Sequence, residues 1–377
     1  MTLRILIFST AYFPLVGGAE VAMKEITDRI QGVSFDLICA KIRPGLLDME
    51  QIGNITVHRV GFGHWIDKFL LPVWGAWRAV QLVPASDIRV IWSLMASFGG
   101  FAALIYTWMR PKTKMLLTLQ EGDPLEHYDR RAGVFGWLHR RIFQRADVVQ
   151  AISHFLADWA VKMGFKGTPM VIPNGVDLQT FLLPVNAHDR IRLRTQFRFN
   201  PEDVVLVTAS RLSYKNAVDD LIVALTHLPI EYKALILGGG EDEQALRALA
   251  YEKGVSSRVV FAGEVLRHHL LEYLQCADVF IRASRSEGLG IAFLEAMAAG
   301  LPTIGTRVGG IPDFLVDGET GVFCEPNDPA SIAQAVLRIQ NDAPLRARLV
   351  QNAPALIRDH FGWNSIAGQM RTILTQL

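Results

Sequence analysis

Residues 283–305 read ASRSEGLGIAFLEAMAAGLPTIG, and this stretch decides the fold class. The apolar run Val279-Phe280-Ile281 before it predicts a buried strand. Glu287-Gly288-Leu289-Gly290 then makes a glycine loop. Ile291 to Ala299 is rich in strong helix formers, and Gly300 is placed to end the helix in a left-handed turn. Pro302-Thr303-Ile304-Gly305 opens the next strand. Strand, glycine loop, helix and strand in that order is one unit of a parallel α/β sheet. Glu287 falls on the loop and Glu295 little more than one turn inside the helix.

The loop has chemical content. A helix start offers unpaired amides and partial positive charge, which suit a phosphate. Gly288 and Gly290 let the backbone approach a ligand without a Cβ in the way. Glu287 is placed to accept hydrogen bonds from sugar hydroxyls. Glu295 has the apolar neighbours Ile291, Phe293, Leu294 and Met297, where a carboxylate is costly unless something satisfies it, and two ribose hydroxyls would. The plainer alternative makes Glu287 a solvated loop residue and turns Glu295 to water.

The same grammar repeats along all 377 residues. Arg4–Ser9 is a strand, Gly17-Gly18-Ala19-Glu20 a loop, and Val21–Ile30 has helical spacing. Gly17 and Gly18 would leave bare amides at that helix start, where open α/β sheets bind ligands. Further strands are predicted at Phe35–Ala40, Thr56–Val60, Asp87–Trp92, Lys114–Leu119 and Asp147–Ser153, with a buried helix at Leu94–Met109. A second half starts at Val204–Ala209 and continues through Ser210–Asn216 into a helix. Arg211 and Lys215 share that loop, so both reach one diphosphate, the guanidinium as a planar fork and the ammonium as a point charge; two solvated cations are the alternative. Lys233–Gly240, Val259–Val265 and the 279–305 stretch supply the remaining units.

Composition bounds the function. The length suits two domains of ordinary size. A net charge of +1 gives no global electrostatic case for nucleic acid. Hydrophobic content of 50% and mean hydropathy of +0.22 fit two large cores or contact with a membrane surface. Cys39, Cys276 and Cys324 lie far apart, which fits a reducing compartment and neither a disulfide framework nor a zinc site. No stretch reaches the ~20 apolar residues of a membrane span, and the first apolar run is too short for a secretory signal. A cytoplasmic protein is expected. Two stretches interleave aromatic and basic residues: Arg130–Arg145, with Phe135 and Trp137, and His64–Trp77, with three tryptophans. Each suits anionic lipid or acceptor contact, and core packing explains each equally well.

The composite Glu-Gly-x-Gly-x4-Glu-Ala-Met-Ala-x-Gly-x-Pro resembles the donor motif of the retaining glycosyltransferases of family 4, whose GT-B architecture sets two Rossmann-like, doubly wound α/β domains facing a cleft. The resemblance covers nearly the whole chain and is strongest from Val204 to Gly321. It implies an acceptor domain at 1–183, a donor domain at 184–360 and a helix at 361–377 crossing back to the first. Gly17, Gly18 and Glu20 match the family's Gly-Gly-x-Glu. Arg211 and Lys215 match its diphosphate ligands, with Ser210 and Asn216 where the family has glycines. Val265 falls near the base, and Glu287, Gly288, Leu289, Gly290 and Glu295 line the donor. Gln120 stands where the family often has a catalytic histidine, with Glu121 and Asp123 beside it as acceptor-side contacts. The implied activity is retaining transfer of a hexosyl group from a UDP- or GDP-sugar to a glycan or lipid-linked hydroxyl, with peripheral contact to an anionic membrane. Catalytic roles fall to Glu287, Arg211, Lys215 and Gln120. The chain has no Asp-x-Asp pair, so no metal or other cofactor is expected. A nucleotide-sugar epimerase or phosphorylase on the same architecture, and a binding protein without catalysis, are the competing functions.

Overall fold

A computed structural model of the protein describes residues 3–15, 17–82, 88–124, 133, 136–184 and 187–377. The chain divides into two compact units, Met1–Asn174 with Trp363–Leu377, and Gly175–Gly362. In the first, eight strands run in the order β3-β4-β2-β1-β5-β6-β7-β8. They are β1 (Leu3–Phe8), β2 (Val33–Ala40), β3 (Met49–Ile52), β4 (Ile55–Val60), β5 (Ile88–Leu94), β6 (Lys114–Leu119), β7 (Val148–Ala151) and β8 (Met170–Val171). Neighbours are parallel except β3 and β4. The central strand explains itself: Ile5 to Phe8 are fully buried, as a strand covered on both faces requires. Each such side chain contributes roughly 1.5–3 kcal/mol relative to exposure.

Helix α1 (Gly18–Arg29) follows β1, and α2 (Asp67–Leu82), α3 (Phe98–Met109) and α4 (Gly136–Arg145) come later in this unit. The periodicity of 64–77 gives no sign of α2, because Pro72 lies inside it and its outer face is apolar. Its start is fixed by Asp67, whose carboxylate accepts amides of Phe62 (2.8 Å), Gly63 (2.7 Å) and His64 (3.0 Å). The edge strand β3 is likewise unsignalled. In the Arg130–Arg145 stretch, Arg130, Arg131 and Phe135 lie outside the described residues. The rest forms α4, with His139, Ile142 and Phe143 buried and Arg140, Arg141 and Trp137 exposed, so core packing and a basic outer face coexist there. His58 is buried and bonded to Asp36 at 2.9 Å.

The second unit carries six parallel strands in the order β11-β10-β9-β12-β13-β14. They are β9 (Val204–Ala209), β10 (Tyr232–Leu237), β11 (Val259–Gly263), β12 (Val279–Arg282), β13 (Thr303–Thr306) and β14 (Val322–Cys324). Helix α5 (Ile291–Ala298) follows β12. Helix α6 (Trp363–Gln376) belongs to the first unit: Trp363, Ile366, Met370 and Leu374 share a core with Met23 and Ile26, and Asn364 Oδ1 accepts a hydrogen bond from Arg29 at 3.1 Å. The division between units falls at Asn174–Gly175, ahead of the expected 183/184 junction. Residues 176–183 join the second unit because Val176 donates its amide to Phe361 O (2.7 Å) and Gln275 donates to Leu183 O (3.1 Å). All three cysteines are buried free thiols. Among the described residues no helix is long and apolar enough to cross a membrane.

Candidate functional site

In the second unit β9 has β10 on one side and β12 on the other, so the order of strands reverses there. Open α/β sheets bind ligands beyond the carboxyl ends of the strands at such a point. The loops after β9 and β12 are those that carry Arg211, Lys215 and Glu287. Tertiary contacts tie the two together. Lys215 O accepts the amide of Arg285 at 2.7 Å. Arg285 grips Asp219 with both terminal nitrogens (2.9 and 2.8 Å) and reaches Asp220 at 3.0 Å.

A second tie lies closer to the chemistry. Arg282, the last residue of β12, pairs with Glu287 at 2.6 Å and donates to Asn216 Oδ1 at 2.8 Å. Asn216 in turn donates to Arg211 O at 2.7 Å. The carboxamide that departs from the expected glycine is thus the bridge between the two loops. Sequence reasoning missed Arg282; the signal was a guanidinium ending an otherwise apolar strand, VFIR.

Glycines let the backbones close in. A Cβ on Gly240 would fall 2.2 Å from Leu212 O, and one on Gly309 (φ +55°) would fall 1.7 Å from Glu287 O. Around this point Ser210 Oγ, Ser284 Oγ and Arg282 Nε are buried with no hydrogen-bond partner among the described residues. Buried polar groups are normally satisfied, and three such atoms at one strand junction mark a place built to receive polar ligand atoms. Arg211 is exposed and Lys215 half-buried. Gly288, Leu289 and Gly290 are buried, and Gly290 (φ +93°) caps α5, whose first amides follow on the same loop.

Glu295 is 4% exposed, so it does not face water. It pairs with Arg267 at 3.2 Å, a partner not foreseen from the sequence. Arg267 lies two residues beyond half-buried Val265, so the Val265 segment and Glu295 are brought together as one corner of the site.

Gly17, Gly18 and Gln120 lie in the first unit. The amide of Gly17 is not bare: it donates to Glu20 Oε2 at 2.7 Å, capping α1. Gln120 Oε1 accepts from Asn174 at 3.0 Å. The neighbouring Glu121 is buried, and one carboxyl oxygen accepts the Ala96 amide at 2.8 Å. Burial pushes its pKa from 4.5 up to about 7. Below the lower value both folded and unfolded states hold the proton. Between the two, only the folded state does, so stability falls as pH rises and the loss is complete above the higher one. Glu121→Gln should therefore match wild type in unfolding free energy at pH near 4 and exceed it at pH 8, by on the order of 3 kcal/mol, with the midpoint rising accordingly. Midpoint differences that do not change with pH would remove this assignment.

Among the described residues no group of three or more His, Cys, Asp or Glu side chains is arranged to hold a metal.

Residues 189–356 match the family described as Glycosyl transferases group 1, and residues 16–180 the family described as Glycosyltransferase Family 4. The GDP-mannose-dependent alpha-(1-6)-phosphatidylinositol monomannoside mannosyltransferase of Mycobacterium tuberculosis is 30% identical over 321 residues, 79% of this chain and 78% of that protein. The chain belongs to glycosyltransferase family 4. A second relative of this family 4 chain, the D-inositol 3-phosphate glycosyltransferase of Xylanimonas cellulosilytica, is 34% identical over 212 residues, 55% of this chain and 51% of that protein. The match thus spans about half of that relative's length. The fold is that of the Anabaena Alr3699/HepE protein crystallised with UDP and glucose, with a TM-score of 0.81, 18% identity and 100% of both chains covered. The glycosyltransferase motif read from the sequence and these matches agree on two Rossmann-like units of the GT-B class.

Proposed function

We propose that this protein transfers a hexosyl group from a nucleotide-sugar to a hydroxyl of a glycan or lipid-linked acceptor, with retention and without a bound metal. One observation carries the reading: Asn216 and Arg282 tie the loop of Arg211 and Lys215 to that of Glu287 where β9 and β12 part, beside the start of α5 and buried Ser210 Oγ and Ser284 Oγ that have no hydrogen-bond partner among the described residues. That set suits a diphosphate. The ligands named for the relative and the structural neighbour, GDP-mannose and UDP, differ in base and share the diphosphate.

In the reaction the acceptor oxygen attacks the anomeric carbon and the bond from that carbon to the diphosphate oxygen breaks. The electron pair leaves with the diphosphate, and the acceptor proton passes to a leaving-phosphate oxygen on the same face. Negative charge grows on the diphosphate in the transition state, and fixed cations aimed at it lower the barrier. Glu287, held by Arg282, accepts from the donor sugar's hydroxyls; Glu295 accepts from the ribose. Gln120 offers an amide on the acceptor side in place of an imidazole.

Calorimetry with UDP, GDP and their sugars tests this. One base is expected to bind, with affinity unchanged by a chelator. Glu295→Ala should weaken it roughly tenfold or more, the loss of a charge-assisted hydrogen bond. Binding that disappears with chelator, or that ignores Glu295→Ala, contradicts the proposal.

A further inference from the structure

At the amino ends of β6 and β7 the first unit has a cavity of about 730 Å³, walled by Lys112, Lys114, Arg145, Asp147, Phe165 and Lys166. Gln120 stands just past the carboxyl end of β6, so the length of that strand, about 20 Å at the rise of an extended chain, separates it from the cavity. The cations stand on anchored backbone. Lys112 lies in the turn closed by the Thr113 amide, which donates to Arg110 O at 3.0 Å. Lys114 is the first residue of β6 and Arg145 the last of α4. Lys166 follows the helix at His154–Lys162, which stops at Gly164 (φ +96°) with the Phe165 amide returning to Ala160 O at 3.0 Å. Phe165 is buried and pins this loop into the wall. A Cβ on Gly167 would fall 2.9 Å from Phe165 Cζ, so glycine lets the chain pass close over that ring.

Four cations face one carboxylate there, and that carboxylate is already shared. Asp147 accepts from Lys114 Nζ, from Arg145 and from the Met115 amide, each at 2.9 Å. Arg145 also donates to Thr113 O at 2.7 Å, which fixes its guanidinium in the wall. The side chains of Lys112 and Lys166 make no hydrogen bond or ion pair among the described residues. Cations often gather at helix ends to complement the dipole, an effect that dies away within the last turn. Arg145 fits that account. Lys112 and Lys166 do not: they lie beyond Met109 and Lys162, the ends of their helices, and donate to no helix carbonyl. Like charges around one cavity repel, and a cleft walled by one sign of charge concentrates counter-ions.

We propose that this cavity is a second ligand site, for a phosphorylated small molecule that carries at least two negative charges. Lys112 and Lys166 reach its phosphate oxygens as point charges from two different loops, and the Arg145 and Lys114 cations add to the field. The volume is that of a pocket for a small molecule rather than for a lone ion. Gln144, also in the wall, offers an amide to the hydroxyls of the same ligand. The site shares no residue with the loop of Arg211 and Lys215, which belongs to the other unit, so it stands whether or not the transfer reading does.

Calorimetry with fructose bisphosphate, glycerol phosphate and inorganic pyrophosphate, and with fructose as the uncharged control, decides it. Wild type should bind at least one of the three phosphates, more weakly in high salt, and should ignore fructose. Lys112→Gln with Lys166→Gln should weaken that binding roughly tenfold or more, the loss of charge-assisted hydrogen bonds, while nucleotide affinity stays unchanged. Both lysines are exposed, so this variant keeps the fold, with circular dichroism as the control. Arg211→Ala with Lys215→Ala should leave the phosphate binding as it is. Absence of binding of all three phosphates to wild type, or binding that ignores the lysine variant, overturns the proposal. So does binding that the Arg211 and Lys215 variant abolishes, for then the phosphate occupies the nucleotide's place in the other unit.

Discussion

Lys215→Ala and Arg211→Ala each lower kcat/KM for glycosyl transfer by roughly 10²–10³-fold, the cost of removing one fixed donor aimed at developing charge. The fold should persist in both. What holds the loop is backbone: Lys215 O accepts from Arg285, and Arg211 O accepts from Asn216. Truncating either side chain leaves those bonds in place. Arg211→Lys should recover only part of the loss, because an ammonium cannot offer the planar fork. Steady-state kinetics with far-ultraviolet circular dichroism as the folding control is the measurement. Turnover near wild type in both alanine variants would mean that the diphosphate sits elsewhere.

Arg282→Leu is the second large effect. The pair with Glu287 is sequestered, the side chains being 12% and 11% exposed, so deleting the guanidinium strands a carboxylate away from water. Removing one partner of such a pair costs about 3 kcal/mol, more than the pair itself is worth. Asn216 loses its donor in the same step, and the loop of Arg211 and Lys215 loses its bridge to Glu287. Transfer should fall along with the denaturation midpoint. The double variant Arg282→Leu with Glu287→Gln should recover stability and not activity, because it cures the stranded charge without restoring Glu287. Asn216→Gly should do less, since the ion pair survives it. If Arg282→Leu unfolds and turns over like wild type, the pair is incidental and Glu287 is positioned by something else.

The regular elements were legible where local signals agree. Lys114–Leu119 and Val204–Ala209 are strands over the bounds that their apolar runs suggest, because strands buried on both faces need no partner-specific pattern. The ends of the apolar runs Val204–Ala209 and Val279–Ile281 put Arg211, Lys215 and Glu287 on the loops that follow those strands. Helix α2 was not legible: its outer face breaks the amphipathic rule and Pro72 breaks the propensity rule, while burial of Leu71, Gly75, Ala76 and Ala79 and the amides held by Asp67 are tertiary and loop contacts.

By itself the sequence determined the order of strand, loop and helix, the residues standing on each loop and the family. Periodicity, glycine placement and short motifs are local properties, readable within a few residues. Tertiary structure alone decided which loops meet, because contact between Arg282 and Asn216, or Arg267 and Glu295, joins residues far apart in the chain. It also decided which apolar residues are core and which are surface: Trp92 and Trp77 are the same residue type, one fully buried and the other mostly exposed, and only the layers packed around each make the difference.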